Sequence, residues 1–103
     1  MIKDNKNQLK NEIKNEIIKN INDILAVNKI PKINNLTVMN LNKQTAYIGN
    51  IDILDYDLIE TIEKQLNELF EKYGTYSVKN KEIVSCCAPS YKKISFKVNV
   101  NIE

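Results

Sequence analysis

Asp52, Asp55 and Asp57 place three carboxylates within six residues. Three such groups hold Mg²⁺ or Ca²⁺ when the backbone brings them together. The spacing departs from the calcium-binding loop, which needs a glycine at its sixth position and a distal glutamate. A simpler reading makes Asp57 the cap of a following helix, Asp55 a turn residue and Asp52 part of a strand. Cys86 and Cys87 are the only two cysteines, and they are adjacent. Neighbouring thiols cannot staple distant segments, and a bond between them would be strained. They are expected as reduced thiols on a strand, one facing inward, because free cysteine is usually buried. A redox or metal role for the pair is the alternative.

The absences narrow the chemistry further. Ser85, Ser90 and the two thiols have no histidine to activate them, since the chain contains none. All 15 basic residues are lysine, so no guanidinium fork can read guanine or phosphate bidentately. Two glycines cannot build a phosphate-cradling loop. No catalytic, metal or cofactor site is therefore expected, and a metal-dependent enzyme at Asp52, Asp55 and Asp57 is kept as a distant alternative.

Two lysine-bearing surfaces stand out instead. Lys3, Lys6, Lys10 and Lys14 recur at helical spacing beside an apolar stripe. Tyr91, Lys93, Ser95, Lys97 and Asn99 share one parity on a strand, with an aromatic ring beside two ammonium groups. A solvated face explains either set more simply. Formal charge runs +3 over residues 1–35, −4 over 36–74 and +3 over 75–103, giving +2 in all. A nucleic-acid-binding domain usually carries a larger excess.

The elements that must position these residues read helix, strand, strand, helix, strand, strand. The first helix covers about 6–27, with Leu9, Ile13, Ile17, Ile21, Ile24 and Leu25 on one stripe. Residues 1–6 are expected to fray, because asparagines are weak helix formers and lysines oppose the dipole. Asn28 is the expected left-handed end, with Pro31 blocking resumption. Strands at 36–41 and 46–53 form a hairpin whose positive-φ turn positions fall to asparagine. The second helix covers 57–73, with an Asp57–Glu60 capping box and Gly74 just past its end. A strand at 82–88, with an extended piece at 75–79 across Asn80-Lys81, leads to a turn at Ala88-Pro89-Ser90. The last strand, 91–102, alternates strictly: Ile94, Phe96, Val98, Val100 and Ile102 against Lys93, Ser95, Lys97, Asn99 and Asn101.

These elements imply one α+β domain over 1–103: two layers, a mainly antiparallel four-stranded sheet and both helices on one face. No apolar run reaches the length of a membrane span, and the polar opening residues do not read as a signal peptide, so the expected location is cytoplasmic. Isoleucine, asparagine and lysine make up nearly half the chain, which points to AT-rich coding. The functional expectation is a non-enzymatic protein-binding or self-assembling module, such as an assembly factor or small inhibitor of a phage or mobile element. Homodimerisation through the last strand or the first helix is expected. Nucleic-acid binding through the lysine-rich helix and strand face is the alternative.

Overall fold

The computed structural model describes residues 2–41 and 43–101, with side chains from Gln8 onward. Two helices and four strands follow in the order α-β-β-α-β-β: α1 (Ile2–Val27), β1 (Thr37–Leu41), β2 (Gln44–Ile53), α2 (Ile59–Glu71), β3 (Gly74–Ser85) and β4 (Ala88–Asn101). The sheet is antiparallel throughout, in the order β1-β2-β4-β3. The expected two-layer α+β architecture is therefore present. Two α-β-β halves meet along the β2–β4 ladder, and each contributes its outer strand as a sheet edge.

Strict alternation decides the layering. Ile94, Phe96, Val98 and Val100 on β4 are buried, as are Tyr47, Ile51 and Ile53 on β2. Ile17, Ile21 and Leu25 of α1 and Ile59, Ile62, Leu66 and Phe70 of α2 cover them and join the same core. Phe70 stacks obliquely on Phe96, with ring centroids 5.2 Å apart. The helices run antiparallel, because Glu16 and Asn20 meet Tyr73 while Asn28 meets Gln65.

Several local expectations shift, each for a physical reason. Helix α1 is continuous from Ile2, since a helix anchored downstream extends at one bond per residue fixed. At its other end Lys29, not Asn28, takes the left-handed conformation, with φ 60°. The Ile30 and Lys29 amides donate to the Leu25 and Ala26 carbonyls at 2.8 and 3.1 Å, which is a Schellman cap. Asn28 instead donates its side-chain amide to the Ile24 carbonyl at 2.8 Å. Lys43 carries φ 63° in the β1–β2 turn, so lysine rather than asparagine supplies both described positive-φ positions other than glycine; Asn42 lies outside the described residues. The Asp57 cap is displaced too. A short 3₁₀ turn, Tyr56–Leu58, precedes α2, and the Asp55 carboxylate accepts from the Asp57 amide at 3.0 Å.

The C-terminal hairpin differs most. Residues 74–85 form one strand without a break at Asn80-Lys81, and the turn lies at Cys86-Cys87, not at Ala88-Pro89-Ser90. Strand β2 reaches β4 only as far as the Ile53–Lys92 pair, so Pro89 stands on a two-stranded arm opposite a register irregularity between Ile83 and Ser85. Proline is tolerated at such a bulge because no ladder bond is lost there.

Tyr73 joins the helices. Its hydroxyl donates to Glu16 Oε1 at 3.0 Å and accepts from Asn20 Nδ2 at 3.2 Å. Burial, and then the adjacent Glu16 carboxylate, push its phenol up to about 12. A folded-state value above the unfolded value of about 10 means that the folded form holds the proton longer. The stability from this group is full below pH 10 and is lost as pH rises from there toward 12. Burial also raises the Tyr47 phenol, so ultraviolet titration of tyrosinate should show a late-ionising fraction that Tyr73→Phe reduces without abolishing, while easing the alkaline loss of stability.

Candidate functional site

Pairing geometry assigns every strand residue to the helix-covered face or to the open one. Thr75, Ser77, Lys79 and Lys81 of β3 lie opposite Asn99, Lys97, Ser95 and Lys93 of β4. The last three of these β4 residues lie opposite Ile48, Asn50 and Asp52 of β2. Parity extends the same row to Tyr91, opposite Ile83. Tyr91, Lys93, Lys97 and Asn99 therefore do share the open face, as their spacing implies. Lys79 and Lys81 join them, a pair hidden from sequence reading because β3 was expected to break between them. Lys81 and Lys93 stand directly opposite each other, an arrangement that costs stability. Asp52 is the only carboxylate among the described residues of this face, and no ion pair among the described residues neutralises any of the four lysines.

The polar members of the face are partly satisfied. Ser95 Oγ donates to Asn50 Oδ1 at 2.8 Å, and Asn99 Nδ2 donates to Thr75 Oγ1 at 3.1 Å. Asn99 Oδ1 is buried without a hydrogen-bond partner.

The lysine stripe of α1 belongs elsewhere. Tyr47, on the helix-covered face of β2, donates its hydroxyl to the Lys10 carbonyl at 2.9 Å, so α1 packs on that face. Lys10 is half-buried and donates through Nζ to Asn40 Oδ1 at 2.8 Å; Lys14 is also half-buried. The side chains of Lys3 and Lys6 lie outside the described residues. The two sequence-nominated surfaces thus sit on opposite sides of the sheet and form no single site.

The sheet edges correct a second expectation. Strand β4 pairs with β2 on one side and β3 on the other, so the last strand cannot take up another chain at an edge. The edges are β1 and β3. Strand β3 carries Lys79, Lys81 and Glu82 and ends in the bulge, all features that discourage strand addition. Strand β1, Thr-Val-Met-Asn-Leu, has no charge and no proline, and all five residues are exposed. Val38, Met39 and Leu41 are 38%, 45% and 39% exposed, and Leu9 of α1 is 40% exposed. No single-residue signal marks this edge; it follows only from knowing which strand is outermost.

The acidic cluster does not converge. Asp52, Asp55 and Asp57 are exposed, and Asp55 is engaged as a cap. Among the described residues no three His, Cys, Asp or Glu side chains are grouped to hold a metal ion. A cleft of about 710 Å³ beside Asp52 and Asp55 is walled mainly by Ile30, Pro31, Ile53, Leu54 and Leu58. Asn28, Lys29 and the nominated Tyr91 complete its lining. Both cysteines are exposed at the tip of the β3–β4 hairpin, not on a strand facing inward. No helix in the described residues is long and apolar enough to cross a membrane.

No protein-family model, no curated protein and no solved structure matches this chain.

Proposed function

We propose that the protein is a non-enzymatic, self-assembling binding module that joins a second copy of itself along β1. The observation that carries this reading is an uncharged, proline-free edge strand exposing apolar side chains on both faces. The other edge is defended by lysine, so β1 has only another β1 to pair with. Two antiparallel β1 strands about a two-fold axis close the assembly at a dimer, whereas pairing of β1 with β3 would propagate. Small size and AT-rich coding suit a cytoplasmic accessory protein of a phage or mobile element, such as an assembly factor or inhibitor.

Sedimentation velocity from low micromolar to near-millimolar concentration should show a dimer. Val38→Lys with Met39→Lys should abolish it while leaving the melting temperature of the dilute protein within a few degrees. A wild-type monomer at the highest concentration overturns the reading.

One observation favours a second reading, nucleic-acid binding. Lys79, Lys81, Lys93 and Lys97 form a basic patch beside Tyr91, met by one carboxylate, Asp52 opposite Lys93, and i,i+2 lysines on a strand stand about 6.8 Å apart. Single-stranded DNA or RNA lying on this face would bind with a steep salt dependence. An electrophoretic shift at low salt, lost in K79E/K97E, is the check.

A further inference from the structure

Free cysteine is among the most buried residue types. Here both cysteines stand at the most projecting point of a two-stranded arm, and both are exposed. Along an extended strand, neighbouring side chains point to opposite faces and their sulfurs would be far apart. Ser85 pairs with Ala88, which leaves Cys86 and Cys87 as the two turn residues. Neither adopts a positive φ. The turn is therefore not of the primed type that two-residue hairpins prefer, and the strands absorb the mismatch in the bulge after Ile83. The result is convergence of two side chains that a strand would separate: the Sγ atoms lie 3.3 Å apart. The Cys87 amide approaches Ser85 Oγ at 3.4 Å, within the same turn.

We propose that this thiol pair is a chelating site for a trivalent, pyramidal thiophilic centre, namely a trivalent arsenical or antimonial. The thiols stand at a hydrogen-bond contact whose distance fits that geometry. Two metal–sulfur bonds of about 2.3 Å at a tetrahedral angle hold the sulfurs about 3.8 Å apart, as zinc requires. Bonds of that length meeting near a right angle, as at a trivalent arsenic centre, hold them about 3.3 Å apart. Zinc also needs further ligands, and the described residues supply no third His, Cys, Asp or Glu at the pair. With an organoarsenous acid, each thiol displaces one hydroxyl from arsenic. Two As–O bonds break, two S–As bonds form, and two waters leave with the thiol protons. No electron is transferred.

The test uses the reduced full chain and phenylarsenous acid in the presence of excess monothiol, because only a dithiol chelate survives that competition. Mass spectrometry should show a one-to-one adduct two waters lighter than the sum of its parts, released by a small dithiol. Cys86→Ser and Cys87→Ser should each weaken retention at least a hundred-fold with unchanged melting temperature. Zn²⁺ should not protect the thiols from alkylation. Equal retention by either serine variant, or protection by Zn²⁺, overturns the assignment.

Discussion

Replacing Phe96 with alanine should destabilise the protein by about 3–5 kcal/mol, the range for deleting a buried aromatic ring. Domains of this size are stable by about 5–15 kcal/mol, so the variant should stand near the edge of folding. Phe96 is 2% exposed and stacks on Phe70. It also lies across from Gly49, whose missing side chain leaves room for the ring. A Cβ at position 49 would meet Phe96 Cζ at 2.6 Å and Leu36 Cδ2 at 2.8 Å. Gly49→Ala alone should therefore cost about 1–3 kcal/mol by overpacking. In F96L the ring is gone, and the same glycine substitution should cost clearly less. A double-mutant cycle from urea unfolding measures that coupling, and strict additivity would show that the glycine serves something other than the ring.

Gly74→Ala should be nearly as damaging, at about 3 kcal/mol, from steric conflict and backbone strain together. Gly74 has φ +156°, where residues with a side chain are rarely found, and an added Cβ would sit 2.3 Å from the Asn99 carbonyl oxygen. That oxygen is main chain of the central strand and cannot rotate aside as the Phe96 ring can. The two glycines thus differ in kind: a smaller residue at 96 relieves the larger part of the first conflict and leaves only the Leu36 side chain to give way, but no side-chain substitution relieves the second. The drop in urea midpoint caused by Gly74→Ala should be the same in the wild-type and Asn99→Ala backgrounds, the second background absorbing the loss of the Asn99–Thr75 hydrogen bond. Recovery in the double variant would place the conflict in the Asn99 side chain.

Phe96, Val98 and Val100 were legible as core because a half-buried strand repeats every second residue, and that period needs no knowledge of neighbours. Helix α2 was legible for the same reason at its own period. Strand order was not. The polar row Lys93 to Asn99 reads identically whether β4 is outermost or central, since alternation reports which face is wet and says nothing about which edges are paired. The dimer contact expected at the last strand failed on this point. Lys79 and Lys81 were lost because both faces of an edge strand are solvated there, leaving β3 with no alternation to read. Pro89 suggested a turn that the chain makes three residues earlier, since a two-stranded arm with a bulge accommodates proline. The thiol pair was visible as two letters, but its convergence depends on a turn geometry that neighbouring residues do not encode.

The central position of β4 also constrains how the protein is made. Residues 37–53 can pair as a hairpin soon after they leave the ribosome, but the β2 flank and the β3 strand have no mutual contact until residues 88–101 emerge between them. A nascent chain stalled before that point carries two unjoined halves with bare backbone flanks, a state prone to mispairing on crowded polysomes.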